Sequence, residues 1–312
     1  MRTILQRYFR LLAIITATVW CAPVHAAWQF TAIDFPGAVE TNVFGVNDSG
    51  DAVGFAFDVL SPVQIHPFAF VYDTRKHTYT RLERAFGEEF GTFASGINNP
   101  GVIVGNFLNE LGAPAYIRSK NGVYAAFMHP GSTFTNFRGI NEHGVIAGHA
   151  DDGDLLVGFI YDSASDTYVE FLASPETVAH AINNRGDVVG SVFLDAGVAC
   201  AQCPAGIYGF LRTAGGAFRF FRVNGADTRA RGLSDSGVIA GQVDTDTGVA
   251  SFVTRIQGLP YEAITIPGAS LLQFPGSSFT IAEGINNKGD VVGVYLDADF
   301  ASHGFVARQS SH

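Results

Sequence analysis

The sequence predicts an all-β protein, a six-bladed β-propeller built from four-stranded blades. Three observations predict it: a ten-residue phrase that occurs six times, a constant order of strands after each copy, and an N-terminal strand that complements an incomplete last repeat. The 36 glycines and 27 phenylalanines favour turns and packed β-layers. No long window has the i, i+3, i+4, i+7 spacing of an amphipathic helix.

The repeated phrase sets the period of the chain. Its second glycine recurs at intervals of 51, 43, 42, 51 and 52 residues, and a period in this range is typical of propeller blades. The six copies read GVNDSGDAVG (45–54), GINNPGVIVG (96–105), GINEHGVIAG (139–148), AINNRGDVVG (181–190), GLSDSGVIAG (232–241) and GINNKGDVVG (284–293).

Each repeat contains the parts of a four-stranded blade. A short apolar strand leads into the phrase, the Asn and Gly of its N-[DN]-x-G turn tolerate positive φ, and the run after the turn forms the second strand. The third strands are PFAFVYD (67–73), PAYIRS (114–119), VGFIYD (157–162), YGFLRT (208–213), ASFVTR (250–255) and HGFVAR (303–308). Fourth strands such as TYTRLE (78–83), TYVEFL (167–172) and FRFFRV (218–223) follow another turn, and a Pro-Gly corner often leads into the next blade.

The two ends of the chain complement each other. The last repeat stops after HGFVAR (303–308) without a fourth strand, whereas WQFTAIDFPGA (28–38) resembles YEAITIPGA (261–269) but has no strands before it. We therefore expect the N-terminal strand to complete the last blade, which closes the ring and removes an exposed sheet edge. An open solenoid would need polar caps at both ends instead.

At these motifs the chain resembles the extracellular repeat proteins of the HAF type. Their repeats carry GIN-x-x-G-x-VVG, a His-Gly-Phe-like third strand and a PGA corner. The His-Gly-Phe signature is complete here at HGF (303–305) and loose at HPFAF (66–70), while Val157 and Tyr208 replace the histidine in two other repeats. The resemblance covers nearly all of the chain after residue 26. It implies an exported bacterial β-repeat protein and little about chemistry.

Residues 1–26 have the composition of an export signal. Three arginines precede the apolar run LLAIITATVW (11–20), and Val24 and Ala26 occupy the −3 and −1 positions of a small-residue cleavage site. The run is too short to span a bilayer comfortably. We expect cleavage near Ala26 and a secreted or periplasmic protein with one propeller domain, residues 27–312. Cys21 leaves lipidation open, although Trp20 before it fits a lipidation signal poorly.

The charge of the chain limits its partners. Cleavage after Ala26 would leave 16 basic and 29 acidic residues, a formal net charge of −13 against −10 for the whole chain. A field this acidic excludes nucleic acid and anionic membranes as partners held by overall charge. A small molecule, a carbohydrate or a partner protein remains as the ligand, and we expect a monomer without a transmembrane segment in the mature chain.

Two cysteines remain after the expected cleavage, Cys200 and Cys203 in VACAQCPAG (198–206). In an exported protein the favoured interpretation is a small structural disulfide between them. A zinc site would need a second cysteine pair, and a thioredoxin-like redox site would need a helix pattern after the motif; the sequence has neither.

One position in the first strand of each blade varies where its neighbours repeat. Two residues before the phrase the position is mostly small and apolar, which fits packing between blades: Val43, Ala94, Phe137, Ala179, Ala230 and Ala282. The residue directly before the phrase reads Phe44, Ser95, Arg138, His180, Arg231 and Glu283. Side chains alternate faces along a strand. If the first strands are innermost, these six residues form a ring that lines the central channel.

Several interpretations of this ring stay open. Its charges can be simply solvated and paired with one another, or the ring can be a ligand site formed by Ser95, Arg138, His180, Arg231 and Glu283, with His149 as a further candidate. In a propeller hydrolase or lyase, His180 would be the general acid/base and is expected to titrate near neutrality. Arg138 and Arg231 would then hold an anionic substrate, and Glu283 would pair with them.

Long connections are expected on one face of the propeller. They are residues 58–66, residues 194–206 and an insertion near 268–275, where a second Pro-Gly corner appears. Binding residues often lie on such rims, so the leading hypothesis is a binding protein that uses its loop-rich face and channel mouth. No cofactor is indicated beyond a weak calcium hypothesis for DDGD (151–154) and DTD (244–246), which lack a full EF-hand loop. Common catalytic motifs such as G-x-S-x-G and H-E-x-x-H are absent.

Overall fold

The computed structural model describes residues 28–61, 64–83, 91–151, 153–199, 201–255, 264–266 and 270–310. Within these ranges the regular structure is entirely β-strand, and they contain no helix long and apolar enough to cross a membrane. The expected export signal, its cleavage site near Ala26 and Cys200 lie outside the described residues.

Six sheets form the ring, one for each blade, which confirms the six-bladed propeller. The first strand of the chain, β1 (Trp28–Ile33), belongs to the last blade. Blades one to three contain β2 (Thr41–Val46), β3 (Asp51–Ser61), β4 (Gln64–Asp73) and β5 (Thr78–Arg81); β6 (Thr92–Ile97), β7 (Ile103–Phe107), β8 (Ala115–Arg118) and β9 (Tyr124–Phe127); β10 (Thr135–Ile140), β11 (Val145–Asp151), β12 (Leu156–Asp162) and β13 (Thr167–Phe171).

Blades four to six continue the same order, with an additional strand in blade four. They contain β14 (Thr177–Ile182), β15 (Val188–Leu194), β16 (Gly206–Arg212), β17 (Phe218–Val223) and the additional β21 (Ile264–Ile266); β18 (Thr228–Leu233), β19 (Val238–Thr245), β20 (Gly248–Arg255) and β22 (Ser270–Leu272); β23 (Thr280–Ile285), β24 (Val291–Leu296), β25 (Ser302–Gln309) and β1.

The N-terminal strand closes the ring as predicted. Strand β1 pairs antiparallel with β25 over six residue pairs, from Trp28 opposite Gln309 to Ile33 opposite Gly304. Ile33 is fully buried, and the ring of Phe30 lies 5.6 Å from that of Phe305. The N-terminal strand therefore covers what would otherwise be the open edge of β25.

A histidine clasp lies just beyond β1. His303 Nδ1 is 2.7 Å from Asp34 Oδ1, and its Nε2 is 3.1 Å from Asp297 Oδ2. Burial lowers the pKa of His303, but the two carboxylates outweigh it and raise the pKa above its ordinary value. The clasp joins the end of the closing strand to the turn between β24 and β25.

The closing glycine of each phrase lies where a side chain would clash with the first strand, and in four blades also with an aromatic ring of the third strand. A Cβ at Gly54 would lie 1.9 Å from the carbonyl oxygen of Asn42, and one at Gly293 would lie 2.9 Å from the ring of Phe305. The residues paired with these glycines are all fully buried: Phe70, Tyr116, Phe159, Phe210, Phe252 and Phe305. The phrase thus recurs because every blade packs its core in the same way.

The turn in the phrase is built differently from the expectation. Positive φ is confined to its glycine, with values from 78° to 87° in the six copies, and its asparagine does not adopt it. The asparagine side chain forms hydrogen bonds instead. Its Oδ1 accepts from the backbone four residues later, as from Asp51 to Asn47 at 2.9 Å. Its Nδ2 reaches the next blade, as from Asn98 to the carbonyl of Asn141 at 3.1 Å.

These hydrogen bonds link each blade to the next, except between blades five and six. The donors are Asn47, Asn98, Asn141, Asn183 and Asn286. Blade five has Ser234 at this position, and its hydroxyl is 3.0 Å from that of Ser236 instead.

Ser234→Asn should complete the ring. We expect the free energy of unfolding to rise by about 1 kcal/mol, because one more buried hydrogen bond forms between blades. Urea denaturation of the purified protein measures the change. The matched control is Ser236→Asn in the same turn, which cannot make the inter-blade bond and should change stability little. A Ser234→Asn protein no more stable than this control would contradict the expectation.

Two connections differ from their predicted form. Residues 58–61 and 64–66, which belong to a connection expected as a loop, extend the hairpin of β3 and β4, with Asp58 opposite His66 and Ser61 opposite Gln64. The segment YEAITIPGA (261–269), compared above with the closing strand, does not supply the fourth strand of blade five. Its residues 264–266 form β21, which pairs parallel with β17 at the edge of blade four. Strand β22 completes blade five instead. It lies within the segment near 268–275 that was expected as a rim loop, so this part of the expectation is wrong.

Candidate functional site

The six variable residues share one structural position, a β-bulge in the innermost strand of each blade. In β10, Phe137 pairs with Gly148 and Gly139 pairs with Ala147, so Arg138 has no partner residue. The same register shift occurs in β2, β6, β14, β18 and β23. A bulge re-aims the side chain of its extra residue. All six side chains line one cavity of about 90 Å³ on the channel axis: Phe44, Ser95, Arg138, His180, Arg231 and Glu283.

An ion pair crosses the channel. Arg138 belongs to blade three and Glu283 to blade six, so the two residues face each other across the ring. Arg138 Nη2 donates to Glu283 Oε2 at 3.0 Å. From the neighbouring blade five, Arg231 Nη1 lies 3.0 Å from Glu283 Oε1. The Glu283 side chain is only 5% exposed, so one buried carboxylate serves two guanidinium groups.

The two arginines differ in how many of their N–H groups donate hydrogen bonds. Gln242 Oε1 accepts from Arg231 Nε at 3.0 Å and from Nη2 at 2.7 Å, which occupies the rest of that guanidinium. Arg138 Nε and Nη1 have no hydrogen-bond partner among the described residues. Its guanidinium carbon lies 4.8 Å from the centre of the Phe44 ring. Burial lowers the pKa of Arg138 and Glu283 opposes this effect, but arginine stays charged in proteins. Arg138 therefore keeps unused donors in the channel.

The histidines of the channel are neutral near neutral pH. Burial first, and then the nearby charges of Arg231 and Arg138, lower the pKa of His180 well below its ordinary value. Burial and Arg138 lower the pKa of His149 to about 4. The expectation that His180 titrates near neutrality is therefore wrong, because a buried imidazole beside guanidinium groups resists a further positive charge.

One nitrogen of the channel histidines has no hydrogen-bond partner among the described residues. His149 Nδ1 is 3.4 Å from the carbonyl oxygen of Ala179, so this nitrogen carries the hydrogen. His180 Nε2 is 3.5 Å from Ser191 Oγ. The Nδ1 of His180 is buried and has no hydrogen-bond partner within the described part of the chain. The structure thus brings His149, predicted as a weaker candidate, next to His180, with ring centres 6.3 Å apart.

The channel wall has an aromatic side and a polar side. Phe44 stacks on Phe55 at 5.4 Å between ring centres, and Phe55 contacts Phe93 edge-on at 4.8 Å. These rings belong to blades one and two. The charged and imidazole side chains belong to blades three to six, so a ligand in the channel would meet two different surfaces.

The fourth residue of each phrase forms a second ring, which we name the turn-face belt. It reads Asp48, Asn99, Glu142, Asn184, Asp235 and Asn287, so acids and amides alternate around the channel mouth on the face of the tight turns. Each backbone N–H donates to the side-chain oxygen of the next blade, at 2.7–3.1 Å. Burial, and then repulsion from Asp48 and Asp235, raises the pKa of Glu142. The alternation is visible in the aligned phrases, where the residues themselves predict only a turn.

The loop-rich face carries an apolar groove of about 300 Å³ beside blade four. Pro175, Phe193 and Val198 line it, with Glu176 and Asp195, and Phe193 and Val198 are 44% and 60% exposed. The loop after β15, predicted as part of this rim, forms one wall.

A disulfide lies in the same loop. Cys203 is disulfide-bonded, and its carbonyl accepts from the backbone of Gly197 at 2.9 Å. Cys200 lies outside the described residues, so the Cys200–Cys203 pairing stays a prediction.

Asp151, the first residue of the predicted calcium cluster at 151–154, forms hydrogen bonds within the protein. Asp151 Oδ1 accepts from Ser132 Oγ at 2.6 Å and from the backbone of Phe134 at 3.0 Å. In the described ranges, no group of three His, Cys, Asp or Glu residues is placed to hold a metal ion.

Comparison with known proteins supports the fold. No family model matches the chain, and no curated protein matches it. The β-propeller domain of the trilobed protease from Pyrococcus furiosus is similar, with a TM-score of 0.54 and 12% identity over 88% of this chain and 98% of that one. That domain is described as an open velcro topology, whereas β1 closes the ring here.

Two enzymes are similar at the same level. A luciferin-regenerating enzyme has a TM-score of 0.53 and 11% identity over 90% of this chain and 95% of that one. The tricorn protease has a TM-score of 0.55 and 10% identity over 84% of this chain and 25% of that one. Identities this low show the fold alone. The protein is thus a six-bladed β-propeller of repeated blades, with a charged ring across its channel.

Proposed function

We propose that this propeller is an exported protein of the HAF type that binds a small molecule at the six-residue ring of its channel. Export rests on the composition of residues 1–26, and the HAF assignment rests on the repeated phrase and the HGF (303–305) signature. The ligand enters from the loop-rich face, and the apolar groove beside blade four contributes to that face. The protein acts as a monomer.

The observation that carries this proposal is the variety of the bulge residues. The same bulge accommodates Phe44 in blade one and Ser95 in blade two, so the fold does not require a charge there. Blades three, five and six nevertheless place arginine or glutamate at this position, with side chains 13%, 17% and 5% exposed. Transferring such ions from water carries a penalty of several kcal/mol each. Residues that the fold does not need and that oppose its stability are expected at functional sites.

The entrance is assigned from the two ends of the channel. The turn-face belt ties all six blades together with a continuous set of hydrogen bonds. The opposite end of the channel lies at the starts of the innermost strands, where Asn42, Val178 and Arg229 are half-buried. It opens on the face that carries the long connections, where binding residues concentrate.

Binding is favoured over a hydrolase or lyase. A general base at His180 would need a raised basicity, yet burial and two arginines lower its pKa. Glu283 already accepts from Arg138 and Arg231, and no carboxylate orients the His180 imidazole among the described residues. The arrangement holds polar groups in place without supplying a proton acceptor of matching pKa.

Ligand-observed NMR on purified residues 27–312 tests this function. The panel contains neutral sugars, amino acids, amides and organic acids. At least one compound should bind, and its binding should be lost in His180→Leu because the ring loses a polar contact. The variant should still fold, because leucine replaces a neutral buried side chain with another.

The control variant is Phe193→Ser, which changes the groove of the loop-rich face and not the ring. It should keep most of the binding. Binding lost in Phe193→Ser but kept in His180→Leu would assign the site to the groove and contradict the proposal, as would a panel without any ligand.

A further inference from the structure

We propose that the ligand of the channel is a small monocarboxylate with an apolar body, bound by Arg138 between Ser95 and His180. The inference rests on the proposed function and names the class of its ligand. It is carried by three features of the cavity: its unused polar groups, its charge balance and its apolar collar.

The unused polar groups lie on consecutive blades. Blade two presents Ser95 Oγ, which has no hydrogen-bond partner among the described residues, and Ser95 is 7% exposed. Blade three presents the free donors of Arg138. Blade four presents His180 Nδ1, unpartnered in a residue that is 8% exposed. In the tautomer with the hydrogen on Nδ1, this nitrogen donates to the ligand and Nε2 accepts from Ser191 Oγ. A hydroxyl, a guanidinium and an imidazole N–H therefore form an arc of donors, which suits an oxyanion.

The charge balance of the cavity favours an anion. Two guanidinium groups share the single carboxylate of Glu283, and both neighbouring histidines are neutral. The ring thus holds one positive charge in excess at a site with little solvent. An uncompensated buried charge is unfavourable. One carboxylate neutralises the excess positive charge of the ring, whereas a doubly charged anion would leave a net negative charge. The charge balance therefore favours a monoanion.

A collar of apolar side chains next to the ring favours an apolar body for the ligand. On the turn-face side of the ring, the cavity is lined by aliphatic side chains, one from each blade: Val46, Ile97, Ile140, Ile182, Leu233 and Ile285. Phe44 lines the same cavity beside Arg138. A short hydrocarbon or aromatic body would bury its surface against this collar, while a sugar would leave its hydroxyl groups unpaired there.

Isothermal titration calorimetry with butyrate and its neutral isostere butyramide tests the assignment. The protein is residues 27–312, in a buffer free of carboxylates and phosphate near neutral pH. Butyrate should bind at least about tenfold more tightly than butyramide, because a charge-assisted hydrogen bond is lost in the amide. Arg138→Gln should weaken butyrate by at least about tenfold and butyramide little.

The control is Arg75→Gln, which removes the same charge from an exposed turn of blade one and should leave both affinities unchanged. Ser95→Ala, which leaves every charge in place, should also weaken butyrate and tests the site if Arg138→Gln fails to fold. Equal affinity for the two probes, or butyrate binding insensitive to both channel variants, would overturn the assignment.

The outcomes separate this inference from the function on which it rests. A neutral compound that binds in a His180-dependent manner, with no butyrate binding, would overturn the carboxylate and leave the channel function intact. No channel-dependent binding of any compound would overturn both.

Discussion

Glu283→Ala is expected to lower the free energy of unfolding by about 3–5 kcal/mol. The carboxylate is buried and accepts from Arg138 across the channel and from Arg231 beside it. Alanine would leave both guanidinium groups without a counter-charge at a site with little water. Denaturant unfolding of the purified variant measures the loss against the parent protein.

Replacing all three charged residues of the ring by apolar residues should not destabilise the protein. Arg138→Leu, Arg231→Met and Glu283→Leu together remove all three charges, and the resulting protein should be as stable as the parent or more stable by about 1–4 kcal/mol. It should no longer bind butyrate. The blade itself tolerates such residues, since Phe44 occupies the same bulge.

The comparison of the two proteins decides what the charges do. If the triple variant is as unstable as Glu283→Ala, the ion pairs hold the ring together and the charges are structural. If Glu283→Ala unfolds like the parent, the ion pair across the channel contributes nothing. Ser95→Ala changes the ring without touching a charge, and it should alter the unfolding midpoint little.

Removal of the closing strand is expected to have the largest effect on folding. A protein that begins at Phe35 lacks β1 and exposes the edge of β25 along its whole length. It also loses the buried side chain of Ile33 and the contact of Phe30 with Phe305. We expect a loss of at least about 5 kcal/mol, comparable with the total stability of many domains, together with aggregation through the open edge.

The control protein begins at Trp28 and retains β1. It should be monomeric in size-exclusion chromatography, whereas the shorter protein should elute as larger species or remain insoluble. A synthetic peptide WQFTAID (28–34) added during refolding should restore part of the monomer, because it can pair with β25. A shorter protein that stays monomeric with an unchanged unfolding curve would contradict the role of β1.

The repeated features were predictable because they are local. Each phrase contains its own turn and the glycine that faces the aromatic residue of the third strand, and the bulge residue directly precedes the phrase. One physical solution therefore recurs in every blade. The position of Arg138, His180 and Glu283 in the channel followed from the same repetition. Even so, alternation along a strand was only part of the reason, since the β-bulge re-aims each of these side chains.

The partners of these residues were not predictable in the same way. Arg138 and Glu283 are 145 residues apart, and they meet because six blades place blade three opposite blade six. The pKa of His180 was wrongly expected near neutrality because its burial and its distance from two arginines depend on that assembly. The turn-face belt was missed for the same reason: Asp48 and Asn287 lie at distant positions in the chain and become neighbours only when the ring closes.

The sequence by itself therefore determined the number of blades, the order of strands in each, the strand that closes the ring and the six residues that face the channel. The tertiary structure alone decided which of those residues pair across the channel, which polar groups remain unused and which blades β21 and β22 join. The reason is physical. Turns, bulges and strand pairing within a blade depend on neighbours in the chain, whereas charge pairing and burial in the channel depend on distances that exist only in the closed ring.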